Sequence, residues 1–146
     1  MDDLTGTYQR GAGLAALQHE IERARRHDRS LVLGFVDVDG LKRVNDRTGH
    51  AAGDALLRAV AEAIRSKLRS YEPVVRFGGD EFVCALGDVD LETARHRFAE
   101  ISSVLAADES EGSISVGLAA LRAGDSLDEL IARADGDLAA DRARRP

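Results

Sequence analysis

The chain has 146 residues, 44% of them hydrophobic and 32% charged, which suits one domain with a core of its own. Its net charge of −6 speaks against a broad electrostatic grip on nucleic acid, and its single cysteine, Cys84, excludes an internal disulfide and a cysteine metal cage. No apolar run reaches the ~18–20 residues of a membrane span, and the acidic opening Met1-Asp2-Asp3-Leu4 does not read as a signal peptide, so we expect a soluble cytoplasmic domain with no direct membrane contact and no nucleic-acid partner.

Residues 12–26 read as a helix, because Leu14, Leu17 and Ile21 recur at three- and four-residue spacing. Residues 31–38, Leu-Val-Leu-Gly-Phe-Val-Asp-Val, form an apolar run short enough for a buried strand, and an aspartate pair, Asp37 and Asp39, stands at its end. A short helix is expected over 41–46. A longer one is expected over 53–69, with Leu56, Leu57, Val60, Ile64 and Leu68 as its stripe. Strands are expected over 73–77 and 82–86, joined by the tight segment Gly78-Gly79-Asp80-Glu81. Residues 90–105 carry a helical stripe of Leu91, Ala94, Phe98, Ile101 and Leu105, and residues 113–120 read as a strand. Ser126 with Glu129 three residues on marks the start of a last helix through Leu138; Arg142 to Pro146 read either as its end or as a frayed tail.

After the first helix the order is β-α-β-β-α-β, the ferredoxin-like split pattern, with a helix added at each end. A right-handed crossover sets the first two strands parallel with a gap between them, and the third strand fills it. The hairpin then lies at the C-terminal end of the first strand, beside Asp37.

Three acids meeting there repel one another, and a divalent cation is the natural counter-charge. Mg2+ takes hard oxygen ligands, and Asp37 and Asp80 are the first candidates. Glu81 can serve a second ion or help to deprotonate an attacking hydroxyl. Gly-Gly-Asp is also ordinary turn chemistry. The segment Asp37-Val38-Asp39-Gly40-Leu41-Lys42 can hold a triphosphate on backbone amides where a helix begins, and Lys42, one of only two lysines, adds a point charge. Asn45 and Asp54 offer acceptors that match the donor edge of guanine, although Asp54 also fits as simple charge near a helix start. His50 reads as structural.

Together these residues resemble the GGDEF diguanylate cyclases. The resemblance is carried by Asp2-Asp3-Leu4-Thr5-Gly6, Asp37 through Asp46, Gly49-His50-x-x-Gly53-Asp54, Arg76-Phe77-Gly78-Gly79-Asp80-Glu81-Phe82 and Ser113-x-Ser115-Val116-Gly117. It implies an α+β fold with a ferredoxin-like βαββαβ palm of the nucleotidyl cyclase type, and one GGDEF domain over residues 1–146 of a longer sensory or regulatory protein. It implies condensation of two GTP to cyclic di-GMP and pyrophosphate in a transient head-to-head homodimer. Asp37, the Val38 carbonyl and Asp80 would hold Mg2+ or Mn2+. Asp80, Glu81 and Lys42 would serve catalysis. Asn45 and Asp54 would bind guanine, while Gly40, Leu41, Lys42 and Arg142 would hold phosphates.

The chain departs from the family pattern in places. Gly40 stands where an aromatic or apolar residue is common, and Thr7 and Gln9 replace the usual Leu and Asn. The product-inhibition motif Arg-x-x-Asp becomes Arg69-Ser70-Tyr71-Glu72, a degenerate site in which glutamate adds a methylene. Arg142 replaces a phosphate-binding lysine, and the arginine expected four residues later falls at Pro146. Two other readings compete: a weakly active or inactive GGDEF module that binds GTP or cyclic di-GMP for regulation or dimerisation, and a cyclase joining adenine to guanine. Asp54 speaks against the latter, since adenine has no N1 donor.

Overall fold

The structure is a computed structural model and describes residues 1–144. The elements run α1 (Arg10–Arg26), β1 (Leu31–Val38), α2 (Leu41–Thr48), α3 (His50–Ser66), β2 (Val74–Gly78), β3 (Glu81–Gly87), α4 (Leu91–Ala106), β4 (Ile114–Ala120) and α5 (Leu127–Arg144). Among the described residues no helix is long and apolar enough to cross a membrane.

The four strands form one sheet in the order β2-β3-β1-β4, with every neighbouring pair antiparallel. β1 and β2 therefore run parallel with β3 between them, as the split pattern requires. Helices cover both faces, which explains why β1 is apolar throughout rather than alternating. Val32, Val36 and Val38 face α3 and α4, where Leu56, Val60, Ile64, Phe98 and Ile101 complete one core layer. Leu31, Leu33 and Phe35 face α1 and α5, against Leu17, Ile21, Leu130 and Leu138. Side chains alternate along a strand, so Asp37 follows Phe35 onto the α1/α5 side.

Local signals explain most boundaries. The Ser126–Glu129 capping box forms in both directions: Glu129 N–H donates to Ser126 Oγ at 3.1 Å and Ser126 N–H to Glu129 Oε1 at 3.2 Å. Asp90 caps α4 by accepting from Thr93 N–H at 2.8 Å. Helix α3 differs from the expected 53–69 at both ends. It starts at His50, behind Gly49, whose φ of 93° breaks the chain out of α2. It stops at Ser66, because Lys67 N–H pairs with Ile64 O and the last turn tightens. Leu68 still packs on the core, from outside the helix. Helix α5 lies close on β4: a Cβ on Gly117 would sit 2.0 Å from Ala134 O, and Leu118 N–H donates to Asp137 Oδ2 at 2.8 Å.

Candidate functional site

The β1–β3 register places Asp37 opposite Glu81. Val38 N–H donates to Asp80 O at 2.9 Å, which clamps the hairpin tip to the end of β1. The hairpin is braced from both sides. Arg76 donates from Nη2 to Gly79 O at 2.9 Å and pairs through Nη1 with Asp2 at 3.3 Å. Asp2 also accepts from Thr5 N–H, so the opening motif and the signature arginine form one unit. Arg10 lies 4.0 Å from the Phe77 ring centre and donates to Phe77 O at 3.3 Å. The Glu81 side chain folds over Gly78, where a Cβ would meet its Oε1 at 2.2 Å.

The charges at this corner are unbalanced. Burial, and next the negative charge of Asp80, push Asp37 up to about 6, outweighing the opposing pull of Arg142. Glu81 is also raised, first by burial and then by Asp80 and Asp135. Arg142, from the last turn of α5, supplies the counter-charge: its Nη2 lies 3.1 Å from Asp37 Oδ2 and 3.8 Å from Asp39 Oδ1. Asp39 is further tied to β4, accepting from Ser115 Oγ at 2.6 Å and Ser113 Oγ at 2.8 Å. The available donors are carboxylate oxygens, which suits a hard cation that draws its remaining ligands from phosphate and water. Among the described residues, no three His, Cys, Asp or Glu groups are arranged to enclose a metal by themselves.

The expected nucleotide-side residues follow directly in the chain. Gly40 caps α2 with φ of 69°, a left-handed turn that glycine adopts without strain, and nothing lies within 4 Å of where a Cβ would point. Leu41 and Lys42 open the helix, and Lys42 is exposed. Asn45 and Asp54, both half-buried, come from the packed pair α2 and α3. Asn45 Oδ1 is buried with no hydrogen-bond partner, and it lies against Gly53, where a Cβ would approach it to 1.7 Å. A buried acceptor left unmade costs about 1–3 kcal/mol, so it marks a place where an incoming donor is stabilised.

Arg69 and Glu72 lie elsewhere, by the far end of β3, about 20 Å from Glu81 at the usual rise of a strand. Glu72 is buried and fully engaged. It accepts from Arg69 N–H at 2.7 Å, Gly87 N–H at 2.8 Å and Arg97 Nη1 at 2.9 Å. Arg69 turns outward to the Tyr71 hydroxyl at 2.9 Å. A cavity of about 300 Å³ at this end is lined by Arg23, His27, Tyr71 and Asp88 among others. Its two acids, Glu20 and Asp88, stand among Arg23, His27 and Arg29, and Asp88 pairs with Arg29 at 3.1 Å, unlike the cluster of acids at the hairpin. Pro146 lies outside the described residues.

Sequence reasoning missed Arg10, the Asp2–Arg76 pair, the link from Asp39 to Ser113 and Ser115, and the Glu72–Arg97 pair. Ser113 and Ser115 were visible as a motif, but their partner was not.

Comparison with known proteins bears on the family and the fold. The family model described as "Diguanylate cyclase, GGDEF domain" matches residues 1–145. Diguanylate cyclase DgcP of Pseudomonas aeruginosa is 39% identical over 106 residues, covering 73% of this chain and 16% of that protein. The cyclic di-GMP phosphodiesterase NbdA of the same organism is 42% identical over 95 residues, covering 65% of this chain and 12% of NbdA. The chain thus spans a small part of these relatives. The crystal structure of the GGDEF domain of DgcB from Caulobacter crescentus, in complex with c-di-GMP, superposes with a TM-score of 0.90 at 26% identity, covering 99% of this chain and 91% of that one. With the family model spanning nearly every residue, this chain belongs to the GGDEF diguanylate cyclase family.

Proposed function

We propose that this domain condenses two GTP molecules into cyclic di-GMP, releasing two pyrophosphates, with each chain of a head-to-head pair supplying half of the site. The observation that carries the reading is the acidic corner of Asp37, Asp80 and Glu81, set beside the helix start at Gly40 in a chain of this family.

Asp37, the Val38 carbonyl and Asp80 would hold Mg2+ or Mn2+, their oxygen donors fitting a hard ion. The ion supplies charge neutralisation at the phosphates. This chain's residues do the rest. Asn45 and Asp54 hold the guanine edge, with the unpaired Asn45 Oδ1 accepting a base N–H. Backbone amides of Gly40 and Leu41, with Lys42 and Arg142, hold the phosphates. Glu81, raised by burial, takes the proton from the attacking 3′-hydroxyl. The 3′-oxygen then bonds to the α-phosphorus of the other GTP, the bond to its β-phosphate oxygen breaks, and pyrophosphate leaves. The same exchange in the reverse sense closes the ring.

Such a reaction uses GTP from the cytoplasm, where we place the domain, with control by sensory domains of a longer protein. The test is incubation of a dimerised form of the domain with GTP and Mg2+, followed by chromatography. Cyclic di-GMP is expected, and its absence under forced dimerisation overturns the reading. A second reading, a module that binds GTP without turning it over, draws on the Arg142–Asp37 contact, which places the phosphate-binding candidate on a metal-binding candidate. GTP binding without product would favour it.

A further inference from the structure

We propose that Arg142 is a resident counter-cation of the acidic corner, competing with the divalent metal for Asp37 and passing to substrate phosphate when the site is loaded. This rests on the cyclase reading above. Arg142 Nη2 sits 3.1 Å from Asp37 Oδ2 and 3.8 Å from Asp39 Oδ1, so one guanidinium spans both acids of the Asp-x-Asp turn. The planar fork of arginine suits this, whereas the point charge of a lysine reaches one acid well and the other poorly.

The two sides of the contact differ in freedom. Asp37 is held in the sheet, its side chain 13% exposed, between Glu81 on β3 and Ser115 on β4. The Arg142 side chain is 44% exposed, on a long arm at the end of α5. Helix α5 itself is fixed by the Asp137 bond to Leu118 N–H and by its close approach to Gly117. The pivot is thus rigid and the arm can swing. A guanidinium and a divalent ion on one carboxylate place positive charges within a few ångströms, where they repel strongly. Arg142 therefore leaves Asp37 as metal enters, and the phosphates arriving with the metal offer it new acceptors. Without nucleotide Arg142 opposes the metal; with nucleotide it supports the loaded state.

The experiment is calorimetric titration of Mn2+ into the purified wild-type domain, R142Q and R142K, first alone and then with a non-hydrolysable GTP analogue. R142Q is expected to bind Mn2+ alone roughly fivefold more tightly than wild type, the scale of one partly exposed ion pair, and the Mn2+–analogue pair roughly fivefold more weakly. R142K should fall between. The opposite signs are the signature, since a purely structural or purely phosphate-binding residue leaves the metal-only affinity unchanged. Equal or weaker Mn2+ binding by R142Q overturns the proposal. Product formation by wild type, measured in parallel, separates the two failures: cyclic di-GMP with equal metal affinities removes only the competition, whereas no product and no metal binding by any form removes the cyclase reading as well.

Discussion

A little-exposed acid stands beside each end of β3, Glu72 buried at one and Asp37 half-buried at the other, and the two are treated in opposite ways. At the Gly87 end, Glu72 receives two backbone N–H groups and the Arg97 guanidinium, so its charge is met entirely from within the chain. At the Glu81 end, Asp37 faces two further acids and has one partly exposed arginine, and its carboxyl is pushed up to about 6. A carboxylate whose partners are all internal holds the fold together. One surrounded by its own kind stores unfavourable charge that a ligand can relieve. Both sites contain an acid and an arginine, so the difference lies in the count and position of the partners.

The comparison breaks first at activity. Asp80→Asn should reduce cyclic di-GMP formation by about 10²–10³-fold, on the scale of lost electrostatic stabilisation of a transition state, without lowering the melting temperature. A large loss of stability would place Asp80 with Glu72 instead. Glu72→Ala should do the reverse. It leaves Arg97, 16% exposed, without its carboxylate and two N–H groups without an acceptor, and should cost about 3–5 kcal/mol in urea unfolding. Turnover per folded molecule should survive, and loss of activity in fully folded protein would refute the structural role.

A smaller effect belongs to base choice. Asp54→Ser should weaken preference for GTP over ATP by about 1–3 kcal/mol, read from competing-substrate kinetics. Unchanged preference would remove Asp54 from guanine recognition. The smallest effect appears in acid. Asp125 resembles Glu72 in accepting from Arg133 at 2.7 and 2.9 Å and from Arg122 N–H at 2.7 Å. These hydrogen bonds, those from Arg133 foremost, hold its carboxyl below the ordinary 3.8. The stability it contributes is then complete above that value and lost as pH falls through the lower folded value. Below about pH 4 the wild type should lose stability more steeply than Asp125→Asn in acid-unfolding curves, and parallel curves would show that the pair contributes nothing there.

The order of elements, the bounds of β1, the capping box before α5 and the meeting of the hairpin with Asp37 were all legible in the residues. These follow from periodicity, capping chemistry and a handedness rule, all properties of nearby residues or of connectivity. The long-range partners came from the packed fold. That Glu72 is sealed by Arg97, that Asp2 braces Arg76 and that Arg142 reaches Asp37 depends on strand register and on which helix face meets which strand. No spacing encodes these pairings, because the residues are 25 to 105 positions apart. The end of α3 shows the same division: Leu68 continues the helical stripe and is packed as the stripe demands, but the helix closes at Ser66 because its last carbonyls find partners in a tighter turn.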